Sequence, residues 1–86
     1  MNIYFSKIYK KKLGKLIKKN PGLKKDLIKQ LSLFAKNSKH PSLKLHKLKG
    51  QRSVQFSIWI KGDLRALYIK DKQDIIFVDI LNHDEY

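Results

Sequence analysis

The hydrophobic positions of this chain keep one period up to Pro41 and another beyond it. Asn2 to Phe5 is short, with apolar and aromatic content, and predicts a strand. From Phe5 onward the apolar residues fall at Phe5, Ile8, Tyr9, Leu13, Leu16 and Ile17. Lys7, Lys10, Lys11, Lys12, Lys15, Lys18 and Lys19 fill the positions between, so the segment predicts an amphipathic helix. That helix is expected to stop near Lys19, because Pro21 disfavours helical geometry at Asn20. Asn20 is then expected to cap a second helix with Pro21 in its first position. The second stripe is Leu23, Leu27, Ile28, Leu31, Phe34 and Ala35, and it stops near Asn37. Two amphipathic helices joined by a tight turn make a hairpin.

After Pro41 the period becomes two. Leu43, Leu45 and Lys47 alternate weakly with Lys44, His46 and Leu48, and Gly50 closes the segment. Ser53 to Ile60 alternates cleanly, with Val54, Phe56, Ile58 and Ile60 on one side and Ser53, Gln55, Ser57 and Trp59 on the other. Lys61-Gly62 is expected to turn the chain into a strand from Leu64 to Ile69. Asp71-Lys72-Gln73 turns it again, into a strand from Asp74 to Leu81. The pattern predicts one α+β domain over residues 1–86: an N-terminal strand and a helical hairpin packed on one face of an antiparallel β-sheet. The helices must cover Val54, Phe56, Ile58 and Ile60, which leaves Trp59 on the far face.

Composition narrows the function. With no cysteine there is no disulfide framework, no thiol nucleophile and no thiolate metal site. The longest apolar runs, such as Ile75 to Val78, have four residues, and no segment of signal-peptide length opens the chain, so a cytoplasmic protein with no membrane association is expected. The net charge is +13, and it is uneven. Residues 1–50 hold fifteen lysines against the single acid Asp26, a balance of +14; residues 51–86 hold five basic and six acidic residues, a balance of −1. Such a cation attracts polyanions by releasing their counterions. The plain alternative is a set of solvated lysines on helix surfaces.

Few residues are candidates for chemistry. His40, His46 and His83 are the imidazoles, and their separation gives no support for a metal site. His46 is followed by Lys47, Lys49 and Arg52, which combines a proton-transfer group with cations, as phosphodiester chemistry requires. Asp63 and Arg65 are two apart, and on a strand they would share a face, as a surface ion pair or as a proton acceptor beside a phosphate grip. Trp59 reads either as a platform for a nucleotide base or as part of a second small core. His83 and Tyr86 follow the last strand directly. Asp71, Asp74 and Asp79 do not cluster as a metal-dependent nuclease would need, and no phosphate-binding glycine loop or nucleophile elbow is present.

The segments HPSLKLHKLKG (40–50), GDLRALYI (62–69) and DIIFVDILNHDEY (74–86) resemble the RelE/ParE superfamily of toxin–antitoxin toxins, and within it the YafQ-like messenger-RNA interferases. The resemblance covers essentially the whole chain and implies a RelE-like fold. It also implies a ribosome-dependent endoribonuclease that cuts mRNA, needs no cofactor or metal, inhibits translation and is silenced by a cognate acidic antitoxin, with a heterotetramer as one arrangement. His46 matches the histidine of the H-x-L-x-G motif, Asp63 an aspartate before the next strand, and Arg65 the arginine on that strand. His83 matches a histidine after the last strand and Tyr86 an aromatic close behind it, one residue nearer here. Trp59 stands where YafQ-like sites carry a second histidine.

The resemblance thus implies His46, Asp63, Arg65, His83 and Tyr86 as catalytic residues, with Lys47, Lys49, Arg52 and Trp59 binding RNA. Which group is acid and which is base stays open. The alternative from another class is a ParE-like toxin that binds DNA gyrase and performs no chemistry. A general basic RNA-binding protein is a third reading.

Overall fold

The computed structural model describes residues 1–50 and 54–82. Strand β1 (Ile3–Phe5) runs into helix α1 (Lys7–Lys19) through Ser6. The Ser6 hydroxyl accepts from the Tyr9 N–H at 3.1 Å and donates to the Val78 carbonyl at 3.2 Å, so one side chain caps the helix and ties its start to the sheet. Helix α2 (Leu23–Lys36) follows, then a single 3₁₀ turn (Pro41–Leu43), β2 (His46–Lys47), β3 (Phe56–Lys61), β4 (Leu64–Asp71) and β5 (Asp74–Asn82). Among the described residues, no helix is long and apolar enough to cross a membrane.

The five strands form one sheet in the order β1-β5-β4-β3-β2. Strands β2 to β5 are an antiparallel meander, as the alternation predicts. Strand β1 pairs with β5 in parallel, Ile3 beside Ile75 and Phe5 beside Phe77, so the sheet is mixed. The α+β class and the helical hairpin on one face stand as expected.

Four local expectations change. Asn20 ends α1 instead of starting α2: its backbone N–H donates to the Leu16 carbonyl at 2.9 Å, and Gly22 occupies the N-cap of α2. Ile8 and Ile28, placed on core stripes by their spacing, are 61% and 55% exposed, because each helix buries a narrower strip than its apolar residues span. The first hairpin turn is Gly62–Asp63, with Gly62 at φ +55, so Asp63 lies in the turn and not on the strand. The strand expected from Ser53 begins at Phe56 in the described residues, and Val54 is 70% exposed.

The main core lies between helices and sheet. Tyr9, Leu23, Leu27 and Phe34 from the helices meet Ile58, Ile60, Leu64, Ala66, Tyr68, Ile75, Phe77 and Ile80. Phe77 is its hub, with ring centroids 5.5 to 5.8 Å from Phe5, Tyr9, Phe34 and Tyr68. The open face has a smaller apolar cluster of Leu48, Leu67 and Leu81, with Val78 packed against it.

Candidate functional site

Residues paired across neighbouring strands share a face of the sheet. His46 pairs with Ser57, which pairs with Leu67; Trp59 pairs with Arg65, which pairs with Leu81. All six therefore point away from the helices, and His46, Ser57, Trp59 and Arg65 form one polar patch beside the small apolar cluster. The alternation of β3 that buries Ile58 and Ile60 under the helices sends Ser57 and Trp59 to this side.

Arg65 is the best held of the group. Its Nη1 donates to the Ser57 hydroxyl at 3.0 Å and to the Lys44 carbonyl at 3.1 Å. Both bonds use one nitrogen, which leaves the Nη2 and Nε edge for an anion. Ser57 is fully buried, so its hydroxyl is a fixed support. The Trp59 ring is half-buried; its Nε1 donates to the Gly62 carbonyl at 2.8 Å, and the Lys44 ammonium stands 4.9 Å from the ring centroid. Lys44 thus contributes a carbonyl to Arg65 and a cation to Trp59, from a left-handed backbone at φ 48. His46 is exposed at the edge of this patch.

Some expected members stand elsewhere. Lys47 pairs with Phe56, whose ring packs against the helix-side core, so Lys47 faces away from Arg65. Asp63 is exposed in its turn, and among the described residues it makes no ion pair with Arg65, whose guanidinium reaches toward β3. Lys49 is exposed beyond β2. Trp59 is not part of the small apolar cluster. His40 is half-buried and structural in its contacts: its Nδ1 accepts from the Ser42 N–H at 3.1 Å and caps the 3₁₀ turn. Arg52, His83 and Tyr86 lie outside the described residues.

Two residues that sequence reasoning passed over shape the patch. Lys44 takes the place expected for Lys47, and the weak alternation that groups Lys44 with His46 and Leu48 already carries that signal. Gln30, 3% exposed on α2, donates to the carbonyls of Ser42 and Trp59 at 3.3 and 3.0 Å. A glutamine inside a helical stripe gives no such signal.

The helix side bears a second basic surface. An open groove of about 360 Å³ lies where α1 meets the ends of β4 and β5, with Lys12, Lys15 and Lys19 on its rim and Leu16, Leu64 and Ile80 in its floor. Lys12 is paired with Asp79 at 2.8 Å, and Lys61 with Asp26 at 3.3 Å.

No protein-family model and no curated protein sequence matches the chain. Solved structures do. A crystal structure of YafQ from E. coli strain BL21(DE3) superposes with a TM-score of 0.80 at 17% identity, covering 98% of this chain and 94% of that one. The E. coli DinJ–YafQ complex gives 0.77 at 19% identity over 98% and 94% of the two chains. A YoeB/ParE toxin from Agrobacterium tumefaciens gives 0.77 at 13% identity over 96% and 99%. The chain has the fold of these proteins over 96% or more of its length.

Proposed function

We propose that the chain is the toxin of a type II toxin–antitoxin system and acts as a ribosome-dependent endoribonuclease on mRNA. The observation that carries this reading is a YafQ-like fold whose open face assembles Arg65, Lys44, His46 and Trp59. A half-free guanidinium, a second cation, an imidazole and an aromatic ring are what a phosphodiester and its neighbouring base require.

The proposed reaction is transesterification. The RNA 2′-oxygen attacks the adjacent phosphorus as its proton leaves, a P–O2′ bond forms, the P–O5′ bond breaks, and the 5′-oxygen takes up a proton. His46 or Asp63 accepts the first proton and His83 supplies the second, or the two histidines exchange roles. Each acid–base group contributes on the order of a hundred- to ten-thousand-fold. Arg65 with Lys44 stabilises charge on the phosphate oxygens, while Lys47, Lys49 and Arg52 attract the strand. Trp59 and Tyr86 stack on bases. The lysine faces of α1 and α2 dock on ribosomal RNA. By analogy with the E. coli DinJ–YafQ toxin–antitoxin complex, the silencing partner is a cognate antitoxin, expected to be acidic because this chain carries a net charge of +13.

A purified translating-ribosome assay that maps 5′ ends on a defined message tests the reading. The expected result is cuts confined to the decoding site, lost in His46→Ala and in His83→Ala with folding retained. Intact message together with arrested DNA supercoiling would overturn it in favour of gyrase binding.

A further inference from the structure

The segment between α2 and β2 crosses the rim of the sheet. Leu43 is fully buried on the helix side. The next residue, Lys44, already meets Arg65 and Trp59 on the other face. The crossing is made through a left-handed lysine, φ 48, a conformation that persists only where its surroundings hold it. Besides Arg65, which donates to the Lys44 carbonyl itself, two side chains hold the segment. His40 caps the segment at its start through Nδ1. Gln30 holds it from below, with one amide nitrogen donating to both the Ser42 and the Trp59 carbonyl, at 3.3 and 3.0 Å. A glutamine buried to 3% is costly in a helix face unless such bonds require it.

We infer that Gln30 is a positioning residue for the open face: by tying residues 41–44 to β3 it sets where Lys44 stands relative to Arg65 and Trp59. The functional weight of this inference rests on the reading of that face as a phosphodiester site. The placement it describes does not. Gln30 touches none of the reacting groups and acts only through the segment it clamps.

Trp59 is the chain's single tryptophan, so its fluorescence reports the arrangement directly. The full chain is compared with Gln30→Met, which keeps length but donates no hydrogen bond, and with Ile75→Val, a core change on β5 that leaves the clamp intact. All three are measured where circular dichroism shows them folded. Gln30→Met is expected to shift Trp59 emission and raise its quenching by iodide, and to weaken binding of a short labelled RNA roughly tenfold. Ile75→Val is expected to change neither. Emission and RNA binding alike in the two variants would overturn the inference. The wild-type chain gives a second check that needs no variant: the Gln30 side-chain amide protons are expected to exchange slowly with solvent, and exchange as fast as in free glutamine would also overturn it. If emission shifts in Gln30→Met while no version binds RNA, the positioning role stands and the phosphodiester reading falls.

Discussion

Arg65 presents one edge of its guanidinium to the protein and leaves the other open, and that division depends on a rigid planar fork. Lysine at this position keeps the charge and loses the fork. On the proposed nuclease reading, Arg65→Lys is expected to lower message cleavage by about ten- to a hundredfold in protein that circular dichroism shows folded, measured by primer extension on translating ribosomes. Tyr9 tests a different point. Among the described residues its hydroxyl is buried without a hydrogen-bond partner, and burial pushes its pKa from 10.0 up to about 12. The unfolded chain thus releases the tyrosine proton near pH 10 while the folded protein retains it, so the stability of the neutral ring is whole below pH 10 and drains away as pH rises toward about 12. Tyr9→Phe removes both the orphan hydroxyl and this alkaline loss. It is expected to stabilise by about 1 kcal/mol at neutral pH and by more in alkali, read from urea unfolding at pH 7 and pH 11. The face of His46 is only weakly signalled in the sequence, and its pairing with Ser57 on β3 fixes it. Gln30 is not signalled there, because its two partners come from segments 12 and 29 residues away.

At the scale of elements, the helices owe little to intrinsic propensity at one position. Gly14 sits inside α1, and a Cβ added there would meet nothing within 4 Å. Gly14→Ala is expected to raise stability by about 1 kcal/mol, and a drop in the thermal midpoint would contradict the open space seen around it. The same helix shows why sequence periodicity reads elements better than their ends. Asn20 and Pro21 signal a boundary, yet whether Asn20 closes α1 or opens α2 depends on its N–H reaching Leu16, a matter of one bond. The parallel pairing of β1 is also hidden, since three residues carry no register of their own and take it from β5. The meander is readable because the tight turns at Gly62–Asp63 and Lys72–Gln73 fold β4 directly against β3 and β5. Lys47 pairs with Phe56, on the face opposite His46, as the weak alternation of its segment already groups it.

For the whole molecule, charge is set on both sides of a thin sheet. The lysines of α1 and α2 cover one side, while Lys44 and Arg65 mark the other. Interaction with any polyanion should then be steeply salt-dependent, with each phosphate neutralised adding about 0.7 to 0.9 to the slope of log K against log salt. A titration of ribosome binding across monovalent salt measures this, and a slope near zero would exclude the lysine faces from contact. Compositional asymmetry makes this surface visible from sequence alone; its division into two patches needs the fold. The sheet's borders set a further limit. One margin is a three-residue strand that bends at once into a helix, and the other is two residues following a left-handed lysine. Both border strands are too short to template a long ribbon of chain, although they cover β5 only up to Phe77 and β3 only up to Ser57. A concentrated stock is therefore expected not to seed fibrils on β1 or β2, and thioflavin binding on standing would contradict this.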